Sequence, residues 1–229
     1  MAPEANRRAV SKDHSMKKLY FTVVFVFLSA IGAVTAQSFN AGFIAGATFS
    51  QVDGDSYAGY HQLGFTVGPY VNLPFTDHLS GQLELKYSLL GAHSSHKEVV
   101  DYGYAPFSLR LHYVEIPLML RYDLGQLRIA GRPLDFITVE LGASLDVRMR
   151  ATEDTDGDFQ VTSRRWSFIS ATANAGVHFD ITRHIGIGAR FMYSVAPCRF
   201  TGNPGWFFNQ YYNKVWQLTL TYNLNSPLR

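Results

Sequence analysis

Phe136-Ile-Thr-Val-Glu-Leu-Gly-Ala-Ser-Leu-Asp-Val-Arg-Met-Arg150 is the stretch whose reading decides the fold. Its odd positions, Ile137, Val139, Leu141, Ala143, Leu145, Val147 and Met149, are all apolar. Its even positions include Thr138, Glu140, Ser144, Asp146, Arg148 and Arg150. A β-strand turns successive side chains to opposite faces, so this period of two makes one apolar face and one charged face. A helix would need the apolar residues spaced three and four apart.

Working outward, the same period recurs in six further segments. His61–Leu73, Leu79–Leu89, Ile169–Asp180, Ile185–Val195 and Lys214–Leu224 alternate clearly, and Phe39–Ser50 does so more weakly around Gly42 and Gly46. Leu109–Tyr122 departs from strict alternation. Its apolar set is Leu109, Leu111 and Tyr113, then Val114, Ile116, Leu118, Leu120 and Tyr122. A one-residue slip flips every later side chain, so a β-bulge is expected near Tyr113–Val114, where Pro117 would also be tolerated.

These segments predict eight strands whose connections alternate in length. Pro74–His78, Gly125–Asp135 and Ile181–Arg183 are short; Gln51–Tyr60, Gly91–Ser108, Ala151–Arg165 and Ala196–Tyr211 are longer and more polar. Short turns alternating with long loops are the pattern of an up-and-down barrel that crosses a bacterial outer membrane. The fold class read from the chain is therefore all-β, an eight-stranded antiparallel up-and-down transmembrane β-barrel with both ends in the periplasm.

A soluble barrel would share the period but would carry many charges outside. Only 17% of the 229 residues are charged and 14% are aromatic. The polar strand faces oppose Glu84, Glu115, Glu140, Asp146 and Asp180 to Lys86, Arg121, Arg148, Arg150 and Arg190. That balance predicts a lumen packed by structural ion pairs, since an eight-stranded barrel has room only for side chains. The apolar faces would then meet lipid, and closure satisfies the backbone groups that hydrocarbon cannot. Phe75, Tyr122, Phe136, Phe179 and Tyr222 are placed in an aromatic girdle at the turn side, and Trp166, Tyr211 and Tyr212 in one at the loop side.

The start of the chain has another character. Lys17-Lys18, the apolar run Leu19–Leu28 and the small residues up to Ala36 follow the order of a secretory signal peptide. Residues 1–15 are read as an upstream extension, 16–36 as the signal peptide and 37–229 as the barrel. The leader holds five of the 20 Lys and Arg and two of the 18 Asp and Glu. What remains is slightly acidic, which disfavours nucleic acid as a partner. The single Cys198 excludes an internal disulfide framework.

Candidate chemistry is sparse. Asp154-Thr-Asp156-Gly157-Asp158 invites a calcium reading, but Phe159 and Arg165 stand where an EF-hand needs Gly and Glu. His93, His96 and His112 lack the partners and spacing of a metal site. His61, His112 and Ser108 are predicted near one level but without a nucleophile motif. No catalytic, cofactor or metal residue is assigned. Trp206, Phe207, Phe208, Tyr211 and Tyr212, in an aromatic loop, form the expected contact surface.

Three stretches carry a family resemblance. Tyr113-Val-Glu-Ile-Pro-Leu-Met-Leu-Arg-Tyr122, Gly81-Gln-Leu-Glu-Leu-Lys-Tyr-Ser-Leu-Leu-Gly91 and Phe179–Phe191 resemble strands and a turn of the PorT-like outer-membrane β-barrel family. Such barrels commonly end on an aromatic residue, whereas this chain continues past Leu224 with Asn225-Ser-Pro-Leu-Arg229. The resemblance implies an outer-membrane barrel of mostly unassigned role; the absence of a catalytic constellation beside a complete barrel pattern makes a non-enzymatic barrel without a cofactor the leading reading. Its expected partners are membrane lipid, the barrel insertion machinery and an envelope protein. A component of type IX secretion, a lipid-modifying enzyme and a narrow pore are the alternatives.

Overall fold

The computed structural model describes residues 39–53, 60–94, 99–101, 106–129, 131–154, 160–161, 166–200 and 210–225. Residues 1–38 and the predicted contact residues Trp206, Phe207 and Phe208 lie outside them. The strands are β1 (Asn40–Asp53), β2 (Gln62–Pro74), β3 (Leu79–Glu84), β4 (Lys86–His93), β5 (Ser108–Ile129), β6 (Arg132–Asp154), β7 (Gln160–Val161), β8 (Ile169–Asp180), β9 (Ile185–Ser194), β10 (Arg199–Phe200) and β11 (Gln210–Asn223).

Every pairing is antiparallel, and the pairings close on themselves. β1 pairs with β2, β2 with β3 and β4, and both of those with β5. The ring continues through β6, β8, β9 and β11 back to β1. β3 and β4 keep one register against both neighbours: Tyr70 faces Glu84 and Val67 faces Tyr87, while Leu83 faces Leu118 and Lys86 faces Glu115. They form one barrel strand, with Leu85 N donating to Pro69 O at 3.0 Å. The described residues thus make an eight-stranded up-and-down barrel with no free edge in the ring; β7 and β10 are short additions beside β6 and β11.

Two turns on the same side are built alike. Phe75-Thr-Asp-His-Leu79 and Ile181-Thr-Arg-His-Ile185 each place a threonine hydroxyl where it accepts from two backbone N–H groups, those of His78 and Leu79 or of His184 and Ile185. The histidine of each then lies against a tyrosine at the barrel's lower edge, His78 on Tyr122 and His184 on Tyr222. The third connection differs from its prediction. Rather than a loop over Gly125–Asp135, β5 and β6 run on to Ile129 and from Arg132, with Gly131 at φ 80°. Register shifts around Leu124 break the alternation there, which hid the strands from a period-two reading.

The expected bulge lies at the expected level but on the neighbouring strand. β5 keeps one phase throughout: Leu109, Leu111, Tyr113, Glu115 and Met119 are all buried inside. The register shift between His112 and Tyr113 arises because Arg150 and Arg148 are their partners, leaving Met149 of β6 as the extra residue.

What changes along β5 is the surroundings. On the turn side the interior is polar and the exterior apolar, with Leu118, Leu141, Leu218 and Leu220 exposed. On the loop side the interior becomes an apolar cluster of Val52, Leu90, Leu109, Leu111, Tyr113, Trp166, Met192 and Val215, among others. Outside it, Arg110 and Arg150 are exposed. The inversion is what a barrel requires when its lower part stands in hydrocarbon and its upper rim in water.

It also corrects the upper girdle. Trp166 is buried in the apolar cluster and Tyr211 packs against it, with ring centroids 5.9 Å apart. Above the apolar belt an aromatic side chain gains by turning inward. The lower set, Phe75, Tyr122, Phe136, Phe179 and Tyr222, is exposed on the outside.

Candidate functional site

The lumen is the most heavily built part of the molecule. Glu84 and Lys86 enter from one barrel strand, Glu115 and Arg121 from β5, Glu140 and Asp146 from β6, and Arg190 from β9. Alternation puts each on the inner face, and all of these except Arg121 are buried there. Small inner residues leave room for larger neighbours. A Cβ at Gly186 would come within 2.3 Å of His178 Nε2, and one at Gly42 within 2.5 Å of the Tyr70 hydroxyl.

Arg190 is the hub. It donates from Nη1 and Nη2 to the two oxygens of Glu84, both at 2.8 Å, and from Nη2 to Glu140 Oε2 at 2.9 Å. Two parallel bonds from a planar guanidinium are the strong form of this contact. Arg121 extends the chain, with Nε 2.9 Å from Glu140 Oε1 and Nη1 donating to Gln82 Oε1 at 2.7 Å. Gln82 returns a bond of 2.7 Å to Glu84. On the other side Lys86 Nζ lies 3.2 Å from Glu84, 3.5 Å from Glu115 and 3.1 Å from Gln217 Oε1, to which it donates.

Glu84 and Arg190 stand on strands that are not neighbours in the ring, so the network reaches across the lumen. Gln82 and Gln217 are members of the network that a count of charges alone passes over. Their signal was present, because both sit at polar-face positions of alternating strands.

The other charged residues named from the sequence sit differently. Asp146 is held by hydroxyls, Ser144 donating at 2.7 Å and Thr172 also donating. Asp180 lies 3.3 Å from His178 Nε2 near the turn-side opening. Arg148 donates to the backbone oxygens of Ser167 and Trp166, at 3.0 Å each, and so ties down the segment that covers the loop-side end. Arg150 is not a lumen residue at all. The extra residue Met149 re-aims it, and it is exposed on the outer face.

Over the network lies the apolar cluster. Asn213 donates to the Tyr113 hydroxyl at 3.2 Å and so gives the phenol a polar partner in that interior. Arg199 covers Trp166 and Tyr211, 5.4 and 5.1 Å from their ring centroids. Cys198 is buried among them, donating to Tyr211 O at 3.1 Å.

The remaining candidates disperse. Tyr211 belongs to this cover, whereas Tyr212 stacks on Tyr193. His93 is exposed, and His96 lies outside the described residues. His112 faces outward, its Nδ1 2.5 Å from the Tyr87 hydroxyl. Among the described residues no group of three or more His, Cys, Asp or Glu is arranged to hold a metal.

Residues 35–198 match the family described as the outer membrane protein beta-barrel domain. The chain belongs to that family. This outer-membrane barrel therefore resides in the bacterial outer membrane.

No curated protein matches the barrel. Among solved structures it is similar to Ail, the attachment invasion locus protein of Yersinia pestis, in complex with the heparin analogue sucrose octasulfate. That likeness has 14% identity, 81% of this chain and 99% of that chain covered, and a TM-score of 0.47. It is similar also to Neisserial surface protein A, with 14% identity, 80% and 96% coverage and a TM-score of 0.44. OprG from Pseudomonas aeruginosa follows at 11% identity, 82% and 94% coverage and a TM-score of 0.34.

Proposed function

We propose that this chain is a non-enzymatic integral barrel of the PorT-like kind, closed to ions, that serves the envelope through its loops. The observation that carries the reading is the network running from Glu115 through Lys86, Glu84, Arg190 and Glu140 to Arg121, with an apolar cluster stacked above it. Two dissimilar layers, one charged and one apolar, oppose the passage of both ions and apolar solutes. A cleaved leader, insertion by the barrel machinery and an envelope protein as partner complete the reading.

Purified barrel in planar bilayers is the test. Silent recordings support the closed lumen, whereas stable conductance steps overturn it. The non-enzymatic half rests on His112, whose Nδ1 is engaged by the Tyr87 hydroxyl and not by a serine. Lipid A mass spectra unchanged by overexpression are expected; a shifted acyl pattern would restore an enzyme.

The contact role is assigned to the aromatic loop that ends at Tyr211 and Tyr212. Its deletion should abolish recovery of an envelope partner from cross-linked cells, and unaltered recovery would remove that role.

A further inference from the structure

On the loop side, β5 and β6 turn cations onto the outside of the barrel. Arg110 and His112 face outward from β5, and Arg150, the direct cross-strand partner of His112, faces outward from β6. Arg150 reaches that face because Met149 is an inserted residue, so two consecutive side chains point the same way. Met149 is 63% exposed and continues the apolar column of Leu141 and Leu145 on β6, beside Ile116, Leu118 and Leu120 on β5.

The result is a surface in two parts. An apolar column lies at hydrocarbon depth, and a pair of arginines stands where the barrel's polarity inverts. His112, paired directly with Arg150 and bonded to Tyr87, lies between the two arginines. Glu153 and Asp154 lie beyond this point, opposite Leu109 and Ser108, further from the apolar column.

We propose that this surface binds one phosphate-bearing lipid of the outer leaflet, Arg110 and Arg150 holding the phosphate while the acyl chains lie along the column beneath. Guanidinium groups suit phosphate oxygens because their planar donors engage two at once. A soluble anion would use the arginines but not the column, and a purely apolar ligand would use the column but not the arginines. The site depends on the barrel's place in the membrane and not on whether its lumen conducts.

Native mass spectrometry of the detergent-solubilised barrel tests this, with diphosphoryl lipid A and its dephosphorylated form as probes. The wild-type barrel is expected to retain one diphosphoryl molecule in preference to the dephosphorylated one. The double variant Arg110→Gln/Arg150→Gln should weaken retention by about tenfold or more, the loss of two charge-assisted contacts. Lys214→Gln, a cation on β11, should leave retention unchanged. Unheated gel mobility establishes that each variant is folded.

Equal retention by the double variant overturns the proposal. So does equal retention of the two lipid forms by the wild type, or a comparable loss in Lys214→Gln.

Discussion

Arg190 joins two carboxylates that the chain brings from distant strands, and removing it leaves Glu84 and Glu140 buried without their shared cation. A buried charge deprived of its partner is far more costly than a buried pair is favourable. Arg190→Met should therefore lower barrel stability by about 3–5 kcal/mol. Adding Glu84→Gln, which leaves Lys86 with Glu115 and Arg121 with Glu140, should recover most of the loss. Urea unfolding in lipid vesicles measures both, and an equally unstable double variant would show that Arg190 acts through packing instead. That such residues line the lumen was legible from alternation, but their pairing was not. Glu84 and Arg190 are 106 positions apart, and nothing local relates them.

At the scale of the element, the turns Phe75–Leu79 and Ile181–Ile185 show how a short sequence fixes a strand reversal. One hydroxyl in each accepts from two backbone N–H groups. Valine has the shape of threonine without the acceptor, so Thr76→Val or Thr182→Val should each cost roughly 1 kcal/mol. The double variant should lose about the sum, since the turns share no contact. Serine should restore most of the stability, and failure of Thr182→Ser to do so would point to the methyl group. The paired Thr-x-His pattern stands in the sequence, but a period-two reading passes over it. The run of β5 and β6 beyond Asp123 was not legible there, because irregular pairing erases the period that reveals a strand.

For the whole molecule, the instructive residue is Tyr113, where the expected register shift is present but its extra residue is Met149 of β6. A change of apolar parity along β5 looked like a slip of the backbone, because alternation was read as though one solvent bathed the whole outer face. The backbone keeps its phase and the solvent changes instead. This difference predicts how substitutions should behave with height. Leu118→Lys, in the exposed apolar belt, should cost about 2–4 kcal/mol, as a charge at hydrocarbon depth does. His112→Lys, three turns of the pleat higher on the same outer face, should cost about 0–1 kcal/mol. Inside the barrel the order reverses. Leu111→Glu places an unpaired charge in the apolar cluster and should cost several kcal/mol, whereas Ser88→Ala, lower on the inner face, removes one hydroxyl bond to Thr66 at about 1 kcal/mol. Unfolding all four in vesicles of one composition would trace the water boundary through the barrel. Equal costs at positions 118 and 112 would show that the boundary lies elsewhere and that the rim cations are not at headgroup height.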